Sequence, residues 1–339
     1  MSLLHDNTGL ATVPEGMTLT SIIAGGAISL TAGIAIAVNC SVMYVLMRYF
    51  LRYNMIYIFA FVNIFGNTIN LLCSFAYLGP TSIMQSDYMN LKWKRAVSCL
   101  MIGVWYGDLI MQVIMALNRV STVVFFKYSF FTRSGCWMTS IAIYAFSLFL
   151  SFVMNYIVPC CTIYIHYAVY SYAYIENEPS INVYIDLFID IGGSTTCFIL
   201  YIYLFFNVHK ANNATKGAIG TNQVGFRRNK EIRYAAQFGF CTVLACLAWV
   251  TFRIFPMIVP KDSKVWGCMT AQMMIGHCMA TSLVFLIFNH EFQSKFFHPK
   301  SASLAAQSTN GQASRQNVIF PSSISSGINS TKVKVPPRR

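Results

Sequence analysis

Seven apolar runs, each long enough to cross a bilayer, divide this chain and restrict its fold more than any other feature. They extend from Thr20 to Met47, Met55 to Leu78, Ala96 to Phe125, Cys136 to Pro159, Asn182 to Val208, Tyr234 to Val259 and Trp266 to Phe288. A hydrocarbon core takes about 20 apolar residues as a helix. Within it every backbone polar group must be bonded inside the segment, so each run is expected to be helical. The 339 residues are 56% hydrophobic and only 10% charged. The expected architecture is therefore all-α: a seven-helix membrane bundle over 20–297, after a short extracellular segment, 1–19. The tail, 298–339, turns to Ser, Gln, Asn and Pro and is expected to be disordered in the cytosol. No cleavable leader is expected, because the first 19 residues hold no Lys or Arg.

A net charge of +13 would suit nucleic acid if it formed one patch, but it follows alternate loops. One set of connections holds Arg48 and Arg52, then Lys127 and Arg133, then Lys210, Lys216, Arg227, Arg228, Lys230 and Arg233, and finally the basic tail. The opposite set holds only Lys92, Lys94, Arg95, Lys261 and Lys264. The excess of Lys and Arg belongs on the cytosolic side, which puts the N-terminus outside. Lys92-Trp93-Lys94-Arg95 then reads as an interfacial anchor closing an outer loop that begins at Gly79.

Ionisable groups inside such runs are expensive unless paired or facing a cavity. Asp108, Asp186, Asp190 and Arg253 stand out, with Gln112 and His277 beside them as further polar candidates. Asp186 and Asp190 are one turn apart on one face. An ion pair from Asp190 to Arg253 is expected, either as a structural link or in direct contact with a ligand. Asn63, Asn67 and Asn70 share a face of the second run and read as an interhelical polar seam. The stretch Thr162 to Tyr174 alternates aromatic residues, Tyr170 and Tyr172 among them, and is expected to be a short hairpin lid that either contacts ligand or anchors at the interface. Of the 11 cysteines, most lie within runs as small apolar residues. Cys99 and Cys161, or Cys99 and Cys160, fall on the oxidising side and are expected to form a disulfide.

Arg119 closes the third run in Ala116-Leu117-Asn118-Arg119, and Phe288-Asn289-His290-Glu291-Phe292 follows the seventh. Phe288, Phe292 and Phe296 recur at i, i+4 and i+8, the pattern of a short amphipathic eighth helix. With this order, the chain resembles the rhodopsin-like receptors that couple to G proteins. Ala116 to Arg119, Val124-Phe125-Phe126-Lys127-Tyr128, and Lys230-Glu231-Ile232-Arg233 with Gln237 are similar to the nematode serpentine chemoreceptors, class x. The sequence departs from the rhodopsin-like pattern at Asn118, which replaces a carboxylate, and at Thr281-Ser282-Leu283-Val284-Phe285, where Asn-Pro-x-x-Tyr is usual. It also has Phe125 and Phe126 in place of a customary proline.

The resemblance implies a receptor that takes a small molecule among the outer halves of its helices and activates a heterotrimeric G protein inside. It places the protein in the plasma membrane, in sensory neurons and their cilia. The candidate ligand residues are Asp108, Gln112, Tyr170, Tyr172, Asp186, Asp190, Arg253 and His277. The candidate coupling residues are Asn118, Arg119, Lys127, Arg227, Arg228, Lys230 and Arg233. No cofactor, metal site or enzyme chemistry is read, since no nucleotide loop, ligand cluster or nucleophile set is present. Lys264 lies only at the outer edge of the seventh run, which disfavours a retinal protein. A transporter or ligand-gated channel using the intramembrane Asp and Arg groups is the alternative.

Overall fold

The computed structural model describes residues 16–51, 56–124, 131–158, 163–174, 181–215, 239–254, 258 and 267–297. The chain divides into two units, Met1–Gln293 and Ser294–Arg339, and only the first four residues of the second are described. Seven helices form the bundle: α1 (Leu19–Phe50), α2 (Tyr57–Met84), α3 (Leu91–Val124), α4 (Arg133–Ile157), α5 (Ile181–Thr215), α6 (Gly239–Ile254) and α7 (Gly267–Phe288). A short α8 (His290–Phe297) follows. Six of these are long and apolar enough to cross a membrane, while α6 is described over a shorter length. The bundle is turned inside out relative to a soluble protein: Ile23, Leu30 and Ile34 on α1 and Phe188, Phe198 and Phe205 on α5 face outward.

Local sequence sets the ends. Thr18 caps α1, its hydroxyl accepting the Ser21 N–H while the Ser21 hydroxyl accepts the Thr18 N–H. Thr132 caps α4 with a single bond, its hydroxyl accepting the Gly135 N–H at 3.1 Å. Asn289 opens α8 by accepting the Phe292 N–H at 3.1 Å, and its amide donates to the Tyr57 hydroxyl. Phe292 is fully buried there, 5.7 Å between ring centres from both Phe50 and Phe285. Helix α3 runs through the middle, packed on α2, α4 and α5. Gly103 and Gly107 permit its close approach to α4: a Cβ at Gly107 would lie 2.6 Å from the Tyr144 ring, and one at Gly103 2.8 Å from Leu148.

One expected boundary is wrong. The segment Gly79 to Arg95 is not an open loop, because α2 continues to Met84 and α3 begins at Leu91. Lys94 is consequently no interfacial anchor. It is 1% exposed, with its ammonium 2.8 Å from Asp87 and 6.0 Å from the centre of the Tyr167 ring. Asp87 also accepts from the Tyr77 hydroxyl at 2.7 Å, which fixes the turn between α2 and α3. A charge enters the fold here because its counter-ion is seven residues away, a pairing that hydropathy does not reveal.

The centre of the bundle is held by a polar hub. Asp108 on α3 is fully buried, and its carboxylate accepts from the amides of Asn63 and of Asn67 (3.1 Å) on α2. Gln112 donates from the next turn of α3 at 2.8 Å, and His277 on α7 meets the same carboxylate at 2.7 Å. Thr281 extends the network by donating to Asn63 at 3.1 Å. Asn39 separately ties α1 to α2 and α7, through Thr68 at 3.3 Å and the Cys278 carbonyl at 3.2 Å. Removing the acceptor would leave several buried donors unmade, each costing about 1–3 kcal/mol. Asp108→Ala is therefore expected to lower the unfolding free energy by about 3–5 kcal/mol, with Asp108→Asn losing less. The thermal midpoint of the purified protein reads this directly, and an unchanged midpoint in Asp108→Ala would refute the hub's role.

Candidate functional site

At the end of the bundle that starts α3, residues 163–174 form an antiparallel hairpin, β1 (Ile163–His166) and β2 (Ser171–Tyr174), with Ile163 opposite Tyr174 and His166 opposite Ser171. Its turn closes through Tyr170, whose φ of 52° lies in the left-handed region. The hairpin is plugged into the bundle and does not lie over it. Tyr164, Ile165, Tyr167 and Tyr170 are all at least nine-tenths buried. The Ile165 N–H donates to the Ser98 hydroxyl of α3 at 3.2 Å, and Arg95 donates to the Tyr164 hydroxyl at 3.1 Å. The first residue of α7 is glycine for a steric reason, since a Cβ at Gly267 would overlap the Val169 carbonyl oxygen. The lid tyrosines therefore do not act as interfacial anchors.

Beneath the hairpin lies a partly open cavity with about 60 Å³ of room for the centres of water-sized molecules. Its walls are Met101, Ile102 and Trp105 of α3, Ile163 and Tyr172 of the hairpin, Asp186 and Asp190 of α5, Ala248, Trp249 and Phe252 of α6, and Thr270 and Met274 of α7. Its composition is that of small-molecule sites: mostly apolar and aromatic, with few polar groups. Tyr172 is fixed by a 3.1 Å hydrogen bond between its hydroxyl and that of Ser74, and Trp249 by donation to Ser194 at 3.0 Å.

The charges are distributed differently from the sequence expectation. Arg253 pairs with Asp186, one turn before the expected partner Asp190. Asp190 instead accepts the indole N–H of Trp105 at 3.1 Å. The reason is axial level: Asp190 sits deeper, where α3 presents Trp105, and Asp186 sits where α6 presents Arg253. Both carboxylates are at least 96% buried, and Arg253 and Asp186 are each within electrostatic reach of Asp190.

Of the other candidates, Asp108, Gln112 and His277 do not line the cavity; they form the hub one turn below it. Tyr170 is packed in the core beside Ile163 and Ile165. Trp105 connects the two sites. It lines the cavity, donates to Asp190, and meets the His277 ring edge-on with centres 5.3 Å apart. Sequence reasoning missed Trp105, Trp249 and Phe252, because an aromatic residue in an apolar run reads equally well as facing lipid. The one signal was spacing, since Trp249 and Phe252 are i and i+3 on α6.

At the opposite end of α3, Arg119 is 14 residues beyond Trp105, about 21 Å along the helix. It is buried, at 4% exposed, and lies within electrostatic reach of the Tyr201 phenol on α5. The Asn118 carbonyl accepts from the Ser121 and Thr122 hydroxyls at 2.9 and 2.7 Å. Lys127, Arg227, Arg228, Lys230 and Arg233 lie outside the described residues, as do Cys160 and Cys161. Cys99 is a buried free thiol whose neighbour is the Ser151 hydroxyl, so the structure does not make the expected disulfide. Among the described residues no three His, Cys, Asp or Glu side chains gather as a metal site.

Comparison with known proteins agrees with this architecture. The crystal structure of squid rhodopsin superposes with a TM-score of 0.69, covering 94% of this chain and 98% of that one at 9% identity, which shows a shared fold. A search of curated protein sequences finds no match. The sequence model of the serpentine type seven-transmembrane GPCR chemoreceptors, Srx, matches residues 30–289. The match runs from within α1 to the end of α7 and takes in the hub and the cavity, and the chain belongs to the Srx family of serpentine G-protein-coupled chemoreceptors.

Proposed function

We propose that this receptor is chemosensory, taking a small molecule in the cavity beneath the hairpin and activating a heterotrimeric G protein at the Arg119 end. The observation that carries this reading is the cavity itself, walled by four helices and by a buried hairpin. The charge bias of the loops puts that end outside the cell and the Arg119 end in the cytosol. The protein would act in the plasma membrane of sensory neurons, at their cilia.

A ligand signals only if it binds one conformation better than another. Trp105 gives it a route, because a molecule displacing that ring acts at once on Asp190 and on the His277 edge of the hub. Arg119 is covered by its neighbours, so a G protein would reach it only after the helices around it separate. Asn118 and Arg119 would then form the contact, with Lys127, Arg227, Arg228, Lys230 and Arg233 as its basic rim.

The test is G-protein activation in cells expressing the receptor, challenged with a panel of small volatile and soluble compounds. Arg119→Ala is expected to abolish the response at unchanged surface density. Ligand-dependent flux or current without G-protein activation would instead support a transporter or channel. Because Asn118 supplies no carboxylate to hold Arg119, measurable signalling without ligand is expected, and Asn118→Asp should reduce it. A wild-type receptor that is silent at normal surface density would count against that reading.

A further inference from the structure

Asp190 is 1% exposed and lines the cavity. One of its oxygens accepts from Trp105, and among the described residues the other makes no hydrogen bond and meets no cation directly. The guanidinium of Arg253, the cation on this side of the cavity, is bonded to Asp186. A buried carboxylate with an open oxygen in an apolar chamber is costly to keep charged, and the cost falls when a cation arrives to pair with it. The rings of Trp105, Trp249 and Phe252 surround the same space. Aromatic walls beside a carboxylate favour an organic cation through ring electrostatics as well as through the ion pair. The Met and Ile side chains opposite offer only apolar contact, which suits a hydrocarbon portion.

We propose that the ligand of this receptor is a small hydrophobic amine, bound as the ammonium with its nitrogen on the open oxygen of Asp190. The proposal rests on the reading of this cavity as the ligand site. An amine gives Asp190 a directly bonded cation, which Arg253, held on Asp186, does not. A carboxylic acid of the same skeleton meets two carboxylates and gains nothing unless Arg253 leaves Asp186. An alcohol of the same skeleton replaces the ion pair with one neutral hydrogen bond. The geometry therefore orders the three as amine, then alcohol, then acid.

The experiment uses the full-length receptor, purified in lipid nanodiscs and also expressed in cells with a G-protein reporter. The probes are three amines, 2-phenylethylamine, cyclohexylamine and isopentylamine, each with the alcohol and the acid of its skeleton. Binding is read from the shift in thermal midpoint and from tryptophan fluorescence, because Trp105 and Trp249 form the cavity wall. At least one amine is expected to bind about tenfold or more tightly than its alcohol and its acid. In Asp190→Asn that preference should collapse, while Asp190→Glu keeps part of it. The wild-type ranking stands on its own if Asp190→Asn fails to fold. Equal binding of amine and alcohol, a preference for the acid, or no binding by any amine overturns the proposal. Amine binding without G-protein activation supports the proposal and counts against the function proposed above. Activation by alcohols or acids with no amine preference does the reverse.

Discussion

The carboxylate of Asp108 sets the terms for the rest of this bundle. It lies at the centre of a seven-helix membrane protein, accepting from Asn63 and Asn67 on α2 and from Gln112 on its own helix, and meeting His277 of α7. Between helices in lipid no hydrophobic force drives association, so close packing and buried polar contacts carry the specificity. Three helices meeting at one acceptor fix the rotation of each. With α2 and α7 turned to present their polar side chains inward, their apolar faces are left for lipid. The Gly103 and Gly107 contacts then bring α4 onto the far side of α3.

The same hub adjoins the cavity. One turn along α3, Trp105 leaves the hub for the chamber above, with its indole nitrogen on Asp190 and its ring edge on His277. A site whose wall is also a neighbour of the structural lock is well placed to be coupled to it, because packed interfaces shift between discrete arrangements and do not deform smoothly. The opposite end of α3 holds Arg119 under cover. Helix α3 thus carries the three parts of the account in order: cavity wall, hub and buried arginine.

Much of this was legible in the sequence, and what was missed follows a pattern. The runs marked the helices because hydropathy reports lipid contact directly, and the Thr162 to Tyr174 alternation marked the hairpin because aromatic period-2 spacing is rare in a helix. The spacing of Asn63 and Asn67 gave their shared face, though not the carboxylate they turn to. Lys94 reads as interfacial because its partner Asp87 lies across a turn, and basic residues near an apolar run ordinarily mark the interface. Which aspartate takes Arg253 is not legible, because a one-turn axial offset between two helices has no trace in either sequence. The cavity walls Trp105, Trp249 and Phe252 were invisible because inward-facing and lipid-facing aromatics share the same chemistry. Depth along a helix can be counted from sequence, whereas azimuth and partner must be seen.

The central claim is that Trp105 transmits occupancy of the cavity to the hub at Asp108. It is tested most directly in Trp105→Leu, which removes the indole donor and the ring against His277 but keeps an apolar wall. For any compound that activates the wild-type receptor, binding and G-protein activation should be measured side by side on the variant. Trp105→Leu is expected still to bind the compound, within about tenfold, and to fail to signal. Full-amplitude signalling at wild-type potency from a folded Trp105→Leu receptor would contradict it.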